Sequence, residues 1–472
     1  MTSPGAAQQL AAGFSAYAEG FRALGERSDH SVPVWTKGLR NHAWNRFTAL
    51  GFPTARRGNE TWKYTNVRPI ASARFDVPLD LVPEDALDPA VLRLAAPWHD
   101  SWVNMVFVDG VFSAVLSNTG KATGDLQAAS LSRCLATNGT LIQKHLGRYA
   151  SVDDDGFTAL NTAFLHDGAY VRIPAGQIGP DVLNLIYVAT HTSQPRAGFP
   201  RTLILAGRNS QVIINESYVS TGQGESLTES FTNAVTEIVL EEGAQVKHHR
   251  LLRESPGGYH VGTTRVSQAR DSRFTSTSCA FGMALARHDI QVVLNEPGSS
   301  CELNGLYLTT GRQHMDNLIN IDHASPHTSS DLFYKGVLDG RSKAIFGGTV
   351  LVRKDSQKVT ARQTDKNLLL SKDAEVDSKP SLLIYADDVQ CGHGATAGHI
   401  DPEALFYLRS RGLDTETASR FLVHAFAGEI IDTVGPEPLR DHINQAFVEA
   451  LPMATHYSAA HDSPAFDPKE NR

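Results

Sequence analysis

Cysteine is scarce in this sequence, and its placement excludes two common roles. The 472 residues contain four cysteines, Cys134, Cys279, Cys301 and Cys391, which lie far apart and form no CxxC pair. This spacing argues against a disulfide framework and against a self-contained zinc knot. We therefore expect free thiols, as in a protein of the reducing cytoplasm.

The sequence also lacks an excess of basic charge. It has 43 Lys and Arg against 51 Asp and Glu, a formal net charge of -8, and no basic block that could follow a phosphate backbone. We therefore expect no nucleic acid partner.

Long apolar runs are missing as well. The first residues, Met1 to Gly5, show no basic segment followed by an apolar one, and no later run approaches the roughly 18 apolar residues of a membrane span. We expect a cytoplasmic protein without a membrane partner.

Signals of catalysis are weak. The segment Gly340-Arg-Ser-Lys343 lacks the second glycine and the Lys-Ser/Thr of a phosphate-binding loop. Asp387 and Asp388 are adjacent, so on a strand their carboxylates would diverge. We expect a non-catalytic chain that does not hydrolyse ATP.

Three kinds of sequence pattern follow one another along the chain. Residues 1–100 are predicted to be mainly helical, because apolar residues recur at helical spacing. Residues 101–396 are rich in short β-runs, with no convincing helix between about 200 and 400. This pattern excludes a doubly wound sheet and leaves sandwiches, barrels, propellers or a solenoid.

A loosely repeated turn favours the solenoid. A polar turn before a strand starts at Gly243, Asp271, Gly298, Gly340 and Asp373, with spacings of 28, 27, 42 and 33 residues. Stacked coils tolerate such irregular spacing because a loop can be inserted at any coil. The fold expected from the pattern is a mainly β solenoid.

The C-terminal part returns to helix. Asp401-Pro402-Glu403 has the residues of a helix start, and Gly412 those of a helix end. We predict a helical domain over 397–455, placed as a cap on the end of the solenoid. Residues 456–472 are predicted to be disordered.

Cys391 and His393 are the strongest ligand candidates. Residues two apart on a strand share a face, and thiolate and imidazole are ligands for iron, zinc and copper. The alternative is a buried small cysteine beside a hydrogen-bonded surface histidine. Since an iron–sulfur cluster takes about four protein ligands, these two would form half a site.

His314, His323 and His327 form a second, weaker group of metal candidates. Pro326 lies between the last two, so their spacing does not place them on one helical turn. Histidines in loops, solvated or hydrogen-bonded, are the favoured interpretation.

Several segments carry a family resemblance that spans about residues 35 to 450. The longest runs from Tyr385 through Cys391-Gly-His393 to Asp401 and continues over Leu405–Gly412. It resembles the C-terminal signature of the SufB/SufD family of iron–sulfur cluster assembly scaffolds. Further segments are similar to the family as well: Trp62-Lys-Tyr-Thr65, Ala159–Phe164, Lys366–Leu370 and Ala374–Pro380. The first of them favours the SufD branch.

The resemblance implies a right-handed parallel β-helix flanked by helical regions and assembled with SufB and the ATPase SufC. It implies that His393 and Cys391 help to hold a transient iron–sulfur cluster shared with SufB, with none tightly bound to the isolated chain. The SufC-docking element would comprise Phe406, Tyr407, Leu408, Arg409, Arg411 and Gly412.

Two other functions remain open on the residues. One is a β-helix enzyme acting on polysaccharides, which would need convergent carboxylates or basic residues on one solenoid face. The other is a structural homodimer without cluster chemistry, because a solenoid end can pair with its own copy.

Overall fold

The computed structural model describes most of the chain. The described residues are 4–27, 33–56, 58–78, 87–120, 125–137, 139–190, 194–221 and 229–452. The tail predicted at 456–472 lies outside them.

The helices of the described residues fall into two groups. The N-terminal group comprises α1 (Pro4–Arg27), α2 (Val34–Leu50), α3 (Arg68–Ser72), α4 (Pro89–Ala95), α5 (Leu131–Thr137), α6 (Gly139–His145) and α7 (Gly156–Ala163). The C-terminal group comprises α8 (Pro402–Ser410), α9 (Thr415–Ile431) and α10 (Glu437–Ala450). None of the described helices is long and apolar enough to cross a membrane.

The strands occupy the stretch between these two groups and extend into the first. They are β1 (Val103–Val108), β2 (Val111–Asn118), β3 (Gln127–Ser130), β4 (Gly168–Ile173), β5 (Leu183–Thr190), β6 (Arg196–Gly198), β7 (Arg201–Ala206), β8 (Gln211–Thr221), β9 (Ser230–Leu240), β10 (Gln245–Arg253), β11 (Tyr259–Gln268), β12 (Arg273–Phe281), β13 (Leu285–Leu294), β14 (Ser300–Thr309), β15 (His314–His323), β16 (Ser329–Leu338), β17 (Lys343–Val352), β18 (Val359–Leu369), β19 (Glu375–Ile384) and β20 (Val389–Gly398).

These strands wind into a parallel β-solenoid, which confirms the predicted fold class. From β8 onward, consecutive strands alternate between two sheets, and each strand pairs in parallel with the strand two places along the chain. The first sheet runs in the order β2-β1-β5-β8-β10-β12-β14-β16-β18-β20, and the second runs from β3 to β19. Inward side chains of both sheets form the largest apolar core.

A column of left-handed corner residues explains the loose repeat. Asn209, Gly243, Asp271, Gly298, His327 and Lys358 all have φ between 54° and 80°. In each case the corner N–H donates to a carbonyl in the following coil, as from Gly243 to Arg270 and from Gly298 to His327. Gly340 belongs to another corner, which is stacked on Gly311. The spacing of 42 residues from Gly298 to Gly340 is therefore a distance between two different corners.

The C-terminal helices lie on the side of the solenoid, and the predicted cap on its end is wrong. Helices α9 and α10 contact β12, β14 and β16, and their apolar residues share a core with outward residues such as Leu306 and Val337. Lys335 Nζ fixes α9 by donating to the Phe426 carbonyl at 2.8 Å and to Glu429 at 2.9 Å. The C-terminal end of the solenoid is therefore left uncovered by these helices.

The two ends of the solenoid differ in their last strands. At the N-terminal end, β2 and β3 run antiparallel to their neighbours, and the pairing of β1 with β2 is irregular between Asn104 and Val106. At the other end, β19 and β20 have 10 residues each and pair in regular parallel register. Their outer edges have no partner strand in the described part of the chain.

Candidate functional site

Cys391 and His393 lie on β20, the last strand of the first sheet. In register, Cys391 is opposite Ala361 and His393 is opposite Gln363, both of which are buried inward residues of β18. The two side chains therefore share the inward face, as the two-residue spacing predicts. Because no strand follows β20 in the part of the chain that the structure describes, they lie at the rim of the open end.

The two candidates differ in exposure. Cys391 is half-buried and packs against the solenoid core. Burial raises the pKa of its thiol, partly offset by a hydrogen bond from the backbone of Ala361. His393 is exposed and has no hydrogen-bond partner among the described residues. A half-buried thiol and an exposed imidazole at one rim can both act as ligands for a metal ion that arrives from outside.

Three of the five residues on the opposite face of β20 are glycines. Gly392, Gly394 and Gly398 each have open space where a Cβ would be, with no atom of the described chain within 4 Å. None of the three has a positive φ, so turn geometry does not require glycine here. Glycine in a strand is typical of sites where another backbone approaches closely.

Two other polar residues of this segment, Asp388 and His399, have structural partners. Lys358 forms an ion pair with Asp388, and His399 Nδ1 lies 2.8 Å from the Leu369 carbonyl oxygen. Asp387 is exposed. Cys391 and His393 therefore remain the ligand candidates on β20, and Asp387 is an exposed carboxylate that precedes the strand.

The structure does not bring His314, His323 and His327 together. His314 and His323 are the first and last residues of β15, about 30 Å apart at the usual strand rise, and His327 is a corner residue with φ 57°. His323 bonds Thr328 and Ser330 at 2.7 and 2.9 Å, and burial lowers its pKa to about 4. Among the described residues, no group of three His, Cys, Asp or Glu could hold a metal ion.

His314 instead takes part in a contact between the N-terminal region and the solenoid. The segment 60–65, which we call the N-terminal arm, lies across the outside of the second sheet. Thr65 Oγ1 is 3.0 Å from His314 Nε2 and donates to Asp316, which also pairs with the buried Arg287. The guanidinium of Arg287 stacks 3.9 Å from the Trp62 ring. Sequence reasoning flagged Trp62 and Thr65 but not Arg287.

A buried charged network fills part of the interior. His248 Nε2 lies 2.9 Å from Glu216, while Arg250 donates to His260, whose Nδ1 lies 2.7 Å from Glu254. Burial alone would raise the pKa of Glu216, but the hydrogen bond and charge of His248 lower it. The alternation of residues along a strand predicts that the His248 side chain points inward. It does not predict which residues of other coils this side chain contacts.

The predicted docking element lies on α8 and the turn after it. Phe406 and Tyr407 are 72% and 56% exposed, and Leu408 packs against the C-terminal core. Arg411 stacks 5.1 Å from the Tyr407 ring, Arg409 is exposed, and Gly412 ends the helix with φ 97°. With Phe421 of α9, also 61% exposed, this surface has the aromatic and Arg content of a protein contact.

Two family models match this chain and together cover most of it. Residues 15–182 match the SufBD protein N-terminal region. Residues 188–426 match the SufBD core domain of SUF system FeS cluster assembly. The second match contains the solenoid from β8 to β20 as well as α8.

Curated relatives agree over nearly full lengths. The chain is 33% identical to an iron–sulfur cluster assembly SufBD family protein of Synechocystis over 395 residues, covering 82% of this chain and 85% of that one. It is 28% identical to the iron–sulfur cluster assembly protein SufD of Escherichia coli, over 85% of this chain and 90% of the relative. For SufD of Bacillus subtilis the identity is 25%, over 88% and 93%. The chain therefore belongs to the SufBD family of iron–sulfur cluster assembly proteins.

Proposed function

We propose that this chain is a SufD-like, non-catalytic scaffold subunit that works in the cytoplasm with SufB and SufC. It supplies Cys391 and His393 to a cluster-assembly site shared with SufB, and the cluster is its cargo. The observation that carries the proposal is the open end. There both sheets stop in ten-residue strands whose outer edges have no partner among the described residues, and the two ligand candidates lie at the rim.

A partner strand beside β20 is favoured by the character of the edge of this strand. Long, flat, exposed edge strands pair readily with other chains, and proteins that stay apart usually blunt them with charges, proline or bulges. β20 has no Asp, Glu, Lys, Arg or Pro in its 10 residues. The three glycines on its outward face leave room for the close approach of a second backbone.

The number of ligands also favours a shared site. Cys391 and His393 are two ligands, whereas a [2Fe–2S] or [4Fe–4S] cluster takes about four. With no further metal group among the described residues, the remaining ligands are expected from the subunit that covers the end. SufB is the partner that the family assignment suggests.

SufC is proposed to dock on the exposed aromatic surface of α8 and α9 and to supply the ATP hydrolysis. This surface is joined to the solenoid wall through Lys335, whose ammonium also lies 4.2 Å from the Phe426 ring. A displacement of α9 would therefore pull on β16, two strands from β20 in the same sheet. That connection offers a route from ATP-driven movement to the open end.

Co-expression tests the subunit assignment. Affinity purification of the tagged chain from cells expressing SufB and SufC is expected to recover both. Phe406→Asp should reduce SufC recovery at least tenfold, whereas Leu94→Asp, which changes an equally exposed apolar residue on α4, should not. Recovery of the chain alone, or only as a homodimer, would contradict the scaffold role and support a structural homodimer.

Cluster content tests the ligand assignment. In the purified complex handled without oxygen, Cys391→Ala with His393→Ala is expected to lower iron and acid-labile sulfide to less than a fifth of wild type. His399→Ala, a nearby exposed histidine bonded to a backbone carbonyl, is the matched control. Wild-type iron and sulfide in the double variant would exclude both residues as ligands.

A further inference from the structure

Two buried oxygen atoms without hydrogen-bond donors lie beneath the rim of the open end. They belong to Asp365 and Gln363, inward residues of β18 that are each 1% exposed. Gln363 is in register with His393, and Asp365 is in register with Ala395. The two residues therefore form a floor about 4.8 Å, one strand spacing, below β20.

The carboxylate of Asp365 is only half satisfied. Its Oδ2 accepts hydrogen bonds from Asn367 at 2.8 Å and from Ser378 at 2.7 Å, but Oδ1 has no partner within the described chain. No Lys, Arg or His of the described residues forms an ion pair with it. A buried carboxylate without a cation is strongly unfavourable, so the site calls for a positive charge or a proton.

Gln363 adds a neutral oxygen on the same face of the strand. Its Nε2 donates to the Ser381 carbonyl at 2.9 Å, which leaves Oε1 as a buried acceptor without a donor. Gly348 makes room for this amide, because a Cβ at position 348 would lie 2.4 Å from Oε1. The sequence thus keeps open the space that the oxygen occupies.

We propose that Asp365 and Gln363 form an oxygen-lined subsite that binds a divalent cation, such as Fe²⁺ or Mn²⁺, in the floor of the open end. Carboxylate and amide oxygens suit harder cations than the thiol and imidazole at the rim do. With a single carboxylate, the subsite binds weakly and uses water for its remaining positions. It would hold iron before transfer to Cys391 and His393, a role that rests on the proposed function.

Ser378 marks the entrance that we expect for the subsite, at the open end. Ser378, which bonds Asp365 Oδ2, is an exposed residue of the last strand of the second sheet. A cation is therefore expected to enter past this hydroxyl group. A subunit covering the end would close this entrance after the cation has entered.

Manganese binding to the isolated full-length chain tests the proposal. Mn²⁺ is titrated without oxygen, and the signal of free Mn²⁺ is followed by electron paramagnetic resonance. Wild type is expected to bind one Mn²⁺, with affinity at least tenfold weaker in Asp365→Asn and severalfold weaker in Gln363→Met. Asp331→Asn removes an outward carboxylate that pairs with Arg362 on the neighbouring strand, and should bind as wild type does.

The Cys391→Ala, His393→Ala double variant separates this proposal from the proposed function. It should keep its Mn²⁺ while losing cluster content in the complex. Equal Mn²⁺ affinity in wild type and Asp365→Asn, including no binding by either, would overturn the subsite. So would loss of Mn²⁺ in the double variant alone, because the cation would then sit at the rim.

Discussion

The last strands at the N-terminal end of the solenoid are antiparallel to their neighbours. Those at the C-terminal end are parallel to their neighbours. β3 has four residues, and the pairing of β2 is interrupted, so neither offers a long regular edge. β19 and β20 continue the coil pattern to their last residues. The first end follows the devices by which proteins prevent strand addition. At the second end β20 has no charged residue and no proline, whereas β19 carries Glu375, Asp377, Lys379 and Pro380. Stability is expected to concentrate at the first end and binding at the second.

The largest loss in the free energy of unfolding should come from disrupting a buried charge pair at the N-terminal end. Arg201 is fully buried, and its Nη2 donates to Glu237 at 2.5 Å. Glu237 also accepts backbone hydrogen bonds from Gly147, Tyr149 and Ala150. Arg201→Met should lower the free energy of unfolding by about 3–5 kcal/mol, because it leaves a buried carboxylate without its cation.

Urea denaturation followed by circular dichroism measures this effect. Arg362→Met removes an exposed partner of Asp331 near the open end, and should cost less than about 1 kcal/mol. Equal losses for the two variants would remove the contrast in stability between the ends.

At the open end, removing a charge should stabilise the chain. Burial raises the pKa of Asp365 from its ordinary 3.8 to about 6, although hydrogen bonds from Ser378 and Asn367 lower it. A raised carboxyl pKa means that the folded state holds the proton more tightly than the unfolded state. Stability therefore falls as pH rises from about 4 to about 6, and the full penalty of about 3 kcal/mol remains at pH 7.5.

Asp365→Asn should remove that penalty. Without added metal, its free energy of unfolding should exceed that of wild type by up to about 3 kcal/mol at pH 7.5 and by little at pH 4. Denaturation at the two pH values measures the difference. A constant difference at both values would show that the carboxyl does not titrate as described.

Replacing a glycine with alanine should lower stability at the N-terminal end but not at the open end. A Cβ on Gly168 would lie 1.8 Å from the Arg201 carbonyl oxygen, and the residue has φ 151°. Gly168→Ala should therefore cost at least about 2 kcal/mol. Gly394→Ala meets open space and should stay within about 0.5 kcal/mol of wild type. Thermal unfolding compares them, and a large loss in Gly394→Ala would mean that its outer face is already covered.

The smallest effect is expected from the ligand candidates themselves. Cys391→Ala with His393→Ala should change the free energy of unfolding of the isolated chain by less than about 1 kcal/mol, since His393 is exposed and Cys391 half-buried. Val246→Ala, which truncates a fully inward residue of a central coil, should cost at least twice as much. A large loss in the double variant would make the pair a structural element of the end.

Sequence reasoning reached the solenoid because its signals are local. Strand alternation placed Cys391 and His393 on one face, and turn residues marked the coil corners at Gly243, Asp271 and Gly298. The same reasoning put the C-terminal helices on the wrong surface. An apolar helix face shows that it is covered, but not by which part of the fold.

The missed residues depend on neighbours that are distant in sequence. Asp365 and Gln363 look like ordinary alternating residues of a strand, and only the stacking of β18 beneath β20 places them under the rim. Arg287 and Asp316 become partners because successive coils stack, and Trp62 joins them from the N-terminal arm. Such sets follow from three-dimensional register, which one sequence does not reveal.

The N-terminal arm also sets an order of events during synthesis. Thr65 meets Asp316, 251 residues later, and Glu60 meets Lys379, 319 residues later. At about 5–20 residues per second, a ribosome that has made the arm needs at least about ten more seconds to make the strands that the arm contacts. During that interval the arm has no solenoid surface to hold it. The arm and the last coils therefore come into contact only when translation is nearly complete.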